Sequence, residues 1–156
     1  MEIRNAEAKD MKLLGHIMVV SFRHAFSSFI SQRTMDENAR EDCCTELLEN
    51  LYAEGKMHFL IAGSCGMLVW QRTDEGAEIV AIHSLPESWG SGVGQAMLEK
   101  ALEQIGQGTV FLWAFKENAR ARRFYEKNGF RVDGNERISD YDGAIEVRYV
   151  RENGNG

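Results

Sequence analysis

The sequence predicts a single layered α/β domain (α+β layered), a mixed sheet with helices packed on its faces. Three observations predict it. Along the chain the hydrophobic spacing alternates between the three-and-four step of amphipathic helices and short β-rich runs, in the order β-α-α-β-β-β-α-β-α-β-β. The 156 residues, 44% hydrophobic and 27% charged, have the balance of a folded domain long enough to bury one core. No linker, repeat or low-complexity tract divides the chain, and Pro86 is its only proline.

Each element has its own signal. "MEIRNA" reads as a short first strand. From about Ala8, the residues Met11, Leu14, Ile17, Met18, Phe22 and Phe26 recur on one helical face. "SSFISQRT" reads as a loop or broken helix, and "DENAREDCCTELLENLYAEG" as a second helix with Asp36 as its cap and Gly55 as its stop. "MHFLIAG" and "GMLVWQRT" form a predicted hairpin, and "AEIVAIHS" is the next strand. A helix carrying Val93, Met97, Ala101, Leu102 and Ile105 follows, then the strand "GTVFLWAF". "ENARARRFYEKNG" is a helix stopped by Gly129, and "FRVDGNERISDYDGAIEVRYV" closes the fold as two strands. The domain is expected over residues 1–152, with a short disordered tail at 153–156.

Composition narrows the function. A net charge of −6 offers no general attraction to nucleic acid or anionic lipid. Cys43, Cys44 and Cys65 are odd in number and suggest reduced thiols rather than a disulfide framework. The start "MEIRNAEAKD" is charged where a signal peptide needs an apolar run, and no segment has the roughly 20 apolar residues of a membrane span. A cytoplasmic protein without membrane or nucleic-acid partners is expected. H-E-x-x-H and C-x-x-C are absent, so no metal site is expected, and Ser84 lacks a nucleophile-elbow context.

The stretch "LPESWGSGVGQAMLEKALEQIG" places Gly90, Gly92 and Gly94 at alternate positions before a helix. A strand, a glycine turn and a helix N-terminus together aim several unpaired N–H groups, and the positive end of a helix dipole, at one point. Phosphate oxygens reach such amides where no β-carbon intervenes. Taken alone, a tight turn explains the cluster equally well. It is neither an NTPase loop nor a G-x-G-x-x-G dinucleotide loop.

The loop at Gly92-Val93-Gly94 before "QAMLEKAL" resembles the acetyl-CoA loop of the GNAT superfamily of N-acetyltransferases. "NARARRFYEKNGF", from Asn118 to Phe130, resembles that family's Asn, Ala, aromatic-Tyr, Glu-Lys and Gly-Phe pattern more specifically. "IRNAEAKDMKLL" is similar to its first strand and helix. The resemblance implies a mostly antiparallel mixed sheet, splayed at its centre, with acetyl-CoA as co-substrate in the opening. It places Ile82, His83 and Ser84 beside pantetheine, with Gly90, Ser91, Gly92, Val93, Gly94 and Gln95 at the diphosphate. Asn118, Arg123 and Tyr125 complete the implied cofactor contacts. One position departs: the family generally has Gln or Arg where this chain has Trp89. Arg120, Arg122 and Arg123 are candidates for the missing positive charge, and a solvated helix face is the competing reading.

Acetyl transfer needs a neutral amine and a proton for the departing thiolate. A lysine-type amine has a pKa of about 10.4, so a base or water chain helps it at neutral pH. By the resemblance Tyr125 is the candidate acid, its phenol of pKa about 10 facing a thiol of about 8.5. His83 and Glu78 are the candidate bases; five residues apart on a regular strand, they would point to opposite faces. The expected acceptor is a primary amine of a small molecule or peptide, in a pocket of Phe26, Phe29, Ile30, Tyr141, Asp140 and Asp142. Homodimers are common in the family, and the resemblance leaves that state open. A non-catalytic acyl-CoA-binding or sensor domain, which Trp89 would suit, stands as the alternative, and generic nucleotide binding as a third.

Overall fold

The computed structural model describes residues 2–154. Seven strands form one sheet: β1 (Ile3–Asn5), β2 (Met57–Ala62), β3 (Gly66–Thr73), β4 (Gly76–Ser84), β5 (Gly108–Phe115), β6 (Arg131–Ile138) and β7 (Ile145–Asn153). Their order is β1-β2-β3-β4-β5-β7-β6, antiparallel except for the parallel pair β4 and β5. The helices are α1 (Met11–Phe26), α2 (Gln32–Asn38), α3 (Glu41–Glu54), α4 (Val93–Ile105) and α5 (Ala119–Lys127). The mixed, mostly antiparallel sheet with helices on its faces is the architecture expected from the sequence.

The strands alternate between two cores. Leu60, Ala62, Leu68 and Trp70 pack with Met97, Leu98, Ala101 and Leu102 of α4 and with Tyr125 of α5. Phe59, Ile61, Met67 and Val69 face the other way, onto Met11, Leu14 and Ile17 of α1 and Leu48 of α3. The central strands β2 and β3 are thus buried on both faces, which is why they read as nearly continuous apolar runs.

Two local expectations change. The single helix expected from Asp36 to Gly55 is two helices, α2 and α3, separated at Ala39 and Arg40. Ser31 caps α2 by accepting from the Thr34 N–H at 3.2 Å. Asp36 lies inside α2, where its carboxylate accepts from Arg23 at 3.0 Å and Gln32 at 2.8 Å. Gly55 does stop α3, in the left-handed conformation at φ 76°. At the other end β7 runs through Asn153, whose amide donates to Leu102 O and Gly106 O at 2.9 and 2.6 Å. It thereby satisfies carbonyls at the C-terminus of α4. Of the tail expected at 153–156, residues 155 and 156 lie outside the described residues. Among the described residues no helix is long and apolar enough to cross a membrane.

Candidate active site

β4 and β5 pair only at Ala77–Val110, Glu78–Phe111 and Ile79–Leu112, and then part. The cause lies in β4. Against β3, Val69 opposes Ala81 while Trp70 opposes Ile79, so Val80 is an extra residue and forms a β-bulge. A bulge bends and twists its strand, and this one falls where contact with β5 ends. Beyond it, the edges of Ile82 to Ser84 and of Trp113 to Phe115 are no longer joined to each other. A cavity of about 460 Å3 opens there, reached by Ser21 and Phe26 of α1 from one face of the sheet and by Phe124 and Tyr125 of α5 from the other.

The glycine loop closes one end of this cavity. Gly90 and Gly92 have φ values of 83° and 89°, a region L-residues rarely occupy, and nothing packs where their β-carbons would stand. Gly92 is the N-cap of α4 and has no side chain to cap with. The first intrahelical bond is Ala96 N–H to Gly92 O at 3.0 Å, so the amides of Val93, Gly94 and Gln95 have no acceptor in the helix. A β-carbon on Gly94 would stand 3.6 Å from the Phe124 ring, an ordinary contact. Conformation therefore calls for glycine at 90 and 92, whereas the fold itself has room for a side chain at 94.

Positive charge collects beside these amides. Arg120, Arg123 and Lys127 sit at helical spacing on α5 and all line the cavity. Among the described residues none of the three forms an ion pair with a carboxylate. Asn118 caps α5, its Oδ1 accepting from the Ala121 N–H at 3.2 Å, so it orders the turn that aims this helix. Trp89 is held on several sides. Its indole donates to Ser84 O at 3.1 Å, the His24 ring meets it edge-on at 4.9 Å, and the Arg120 guanidinium lies 3.7 Å from its ring centroid.

The other end of the cavity carries the titratable groups. Tyr125 is buried, and burial pushes its phenol well above the usual range, so it stays protonated. Among the described residues its hydroxyl has no hydrogen-bond partner. His83 Nδ1 is 3.0 Å from Ser21 Oγ, and burial lowers the imidazole to about 4. The ring is therefore neutral at physiological pH, and this setting makes the expected candidate base a weak one.

Most of the residues singled out in the sequence meet here: Ile82, His83, Ser84, Gly90, Gly92, Val93, Gly94, Gln95, Asn118, Arg123 and Tyr125 line one cavity. Val93 is buried in the core, so only its backbone faces the loop. Two candidates are not brought in. Ser91 turns its hydroxyl back to Ser88 O at 2.5 Å. Glu78 accepts from Gln71 at 3.0 Å in the paired part of β4, on the order of 15 Å along the strand from His83. The expectation that the two point to opposite faces also fails, because the bulge at Val80 shifts the alternation by one. Arg122 is likewise engaged elsewhere, with Tyr149 Oη at 2.9 Å and Lys116 O at 3.1 Å.

Of the expected acceptor wall only Phe26 lines the cavity. Ile30 is buried, and Phe29 and Tyr141 pack in an aromatic cluster with Phe22, Phe26 and Phe115. Asp142 accepts from Ser31 N–H at 2.6 Å and from the Thr34 hydroxyl, tying the β6–β7 turn to α2. Ser21, Ala25 and Ser88 also line the cavity and were not evident in the sequence, since small polar residues on a helix face or in a loop carry no pattern of their own.

A parted sheet with a glycine-lined helix N-terminus at its mouth defines a class of fold with unpaired amides, a setting suited to an anion, at an open cleft. The model of the Acetyltransferase (GNAT) family matches residues 10–130, and the chain belongs to that family. An uncharacterized N-acetyltransferase of Archaeoglobus fulgidus is 27% identical over 139 residues, 84% of this chain and 93% of that protein. The spermidine N(1)-acetyltransferase of Thermoplasma acidophilum is 23% identical over 143 residues, 85% of this chain and 89% of that protein. A probable N-acetyltransferase of Mycobacterium tuberculosis and an uncharacterized N-acetyltransferase of Mycobacterium bovis match at 35% and 34% identity, and the match spans 33% and 41% of their length. Among solved structures, the PaiA N-acetyltransferase of Thermoplasma acidophilum in complex with coenzyme A superposes with a TM-score of 0.79 at 21% identity. It covers 97% of this chain and 98% of that one, a likeness of fold.

Proposed function

We propose that this chain transfers the acetyl group of acetyl-CoA directly to a primary amine of a small molecule or peptide. The observation that carries the proposal is the continuity of one cavity, from the unpaired amides of Val93, Gly94 and Gln95 to the buried phenol of Tyr125. Phosphates held at the amides would lay pantetheine along the freed edge of β4 at Ile82 and His83, in the manner of an added strand. The Ser84 carbonyl is already taken by the Trp89 indole, so pairing would stop short of it.

The free amine attacks the thioester carbonyl, forming the C–N bond and breaking C–S. Tyr125 gives its proton to the departing sulfur, and the proton lost from nitrogen returns through solvent. The raised phenol pKa does not defeat this role, because the same dry surroundings penalise the thiolate and raise its parent thiol too. With its pKa near 4, His83 is too weak a base to hold the ammonium proton. Its part is to orient the amine by hydrogen bonding. An acceptor for the amine at Nε2 requires the tautomer in which Nδ1–H donates to Ser21 Oγ. Deprotonation of the bulk amine is left to solvent.

The test is thiol release from acetyl-CoA over a panel of amines that includes polyamines, amino acids and peptides, with mass spectrometry for the gain of one acetyl group. Turnover with one class of amine is expected. Tight CoA binding without turnover on any amine would instead establish the sensor reading.

A further inference from the structure

We infer that Trp89 and Arg120 work as one unit, in which the indole face holds the guanidinium at the diphosphate end of the cavity and thereby replaces the cation missing from the loop. This rests on the acetyl-CoA reading above. A bare tryptophan at position 89 offers a diphosphate no charge. The structure supplies one from a different element: Arg120, in the first turn of α5, reaches back to lie 3.7 Å from the centre of the Trp89 ring. The ring cannot easily turn away, because its N–H is bonded to Ser84 O and the His24 ring packs edge-on against it at 4.9 Å. A flat guanidinium stacked on a fixed indole loses little freedom on binding, and its N–H groups remain at its edge for phosphate oxygens.

Electrostatics explain why the arrangement calls for an anion. Arg120 has no carboxylate partner among the described residues. Partial burial and the neighbouring charge of Arg123 both work against its own charge. In a chain of net charge −6 with 24 acidic residues, three cations left together beside unpaired amides are unusual. A diphosphate answers all of them. Arg120 is thus a binding residue, Trp89 the positioning residue behind it, and Arg123 and Lys127 continue the same face.

The test is a double-mutant cycle read by calorimetry with three probes: CoA, dephospho-CoA (which lacks only the 3′-phosphate) and pantetheine. Arg120→Ala is expected to weaken CoA and dephospho-CoA by the same factor, about tenfold or more, and to leave pantetheine unchanged. Trp89→Ala should reproduce that loss, with the double variant no weaker than either single one. Should truncation at 89 lower the melting temperature sharply, Trp89→Phe carries the cycle, its smaller ring giving part of the loss and none once Arg120 is gone. Binding of CoA within twofold of wild type in Arg120→Ala overturns the inference. So do losses that multiply in the double variant, and a loss confined to CoA would move Arg120 to the 3′-phosphate and overturn it also. If the wild-type chain binds pantetheine and CoA equally weakly, the acetyl-CoA reading itself fails.

Discussion

Replacing His83 with glutamine tests how dry its end of the cavity is. The imidazole has its pKa lowered from 6.5 to about 4 by burial. Between those values the unfolded chain binds a proton that the native state refuses, so stability is lost as pH falls from 6.5 toward 4 and is flat above. At 1.36 kcal/mol per tenfold change in the proton-binding ratio, the loss is about 3 kcal/mol by pH 4 and about 1 kcal/mol at pH 5.5. His83→Gln keeps a polar partner for Ser21 and removes the titration. Urea unfolding of both proteins at pH 7, 5.5 and 4.5 cancels the other titrating groups when the two curves are subtracted. The difference should move in the variant's favour by about 2 to 3 kcal/mol across that range. A difference independent of pH would mean that water reaches the ring, and the assignment of His83 as a permanently neutral group would fall with it.

Tyr125→Phe should lower kcat by about a hundredfold or more while leaving CoA affinity and melting temperature close to wild type; full turnover would remove the phenol from the acid role. Gly94→Ala should raise fold stability by up to about 1 kcal/mol, since alanine suits a helix better than glycine and Phe124 leaves room. The same methyl should weaken CoA in calorimetry, and unchanged affinity would argue against phosphate contact at that amide. Asp10 is held at a pKa of about 2 first by its bonds from Arg4, at 2.9 and 3.0 Å, and then by the Glu7 N–H at 2.7 Å. Asp10→Asn should cost about 1 to 2 kcal/mol at pH 7, the half-exposed Arg4 moderating the figure. In acid unfolding that cost should vanish as pH falls from 3.8 toward 2.

Much of the fold was legible because period, glycine and chain order agree. The two-sided burial of β2 and β3, the glycine stop at 55 and the cavity-lining part of α5 all left marks in the residues. The break between α2 and α3 left none: "ENARED" contains neither glycine nor proline, and the break is held by tertiary contacts, with Ala39 buried and its carbonyl accepting from Arg23 Nε at 3.0 Å. The contacts made by the expected acceptor wall were hidden for a similar reason. An aspartate in a turn between strands looks equally like a ligand for an amine and like what Asp142 is, a tie to the start of α2. His83 was found by its position, but its pKa belongs to its surroundings, and no sequence pattern reports those.

The bulge at Val80 connects these successes and failures. Counting residues along an ideal strand put Glu78 and His83 on opposite faces, and one extra residue reverses that count for every position beyond it. The same residue ends the pairing of β4 with β5, so the break in alternation and the opening of the cavity are one event. A binding cleft through the middle of a sheet needs backbone groups freed from the ladder yet held rigid, and unpaired polar backbone in a core is costly. Here β4 stays bonded to β3 along its other edge, from Thr73–Gly76 to Gly66–Ser84, while its free edge faces the cavity. Rigidity comes from one neighbour and recognition from the absence of the other. That division explains why residues 82 and 83 line the cavity with Tyr125, and why Glu78, only a few residues earlier but fully within the ladder, does not.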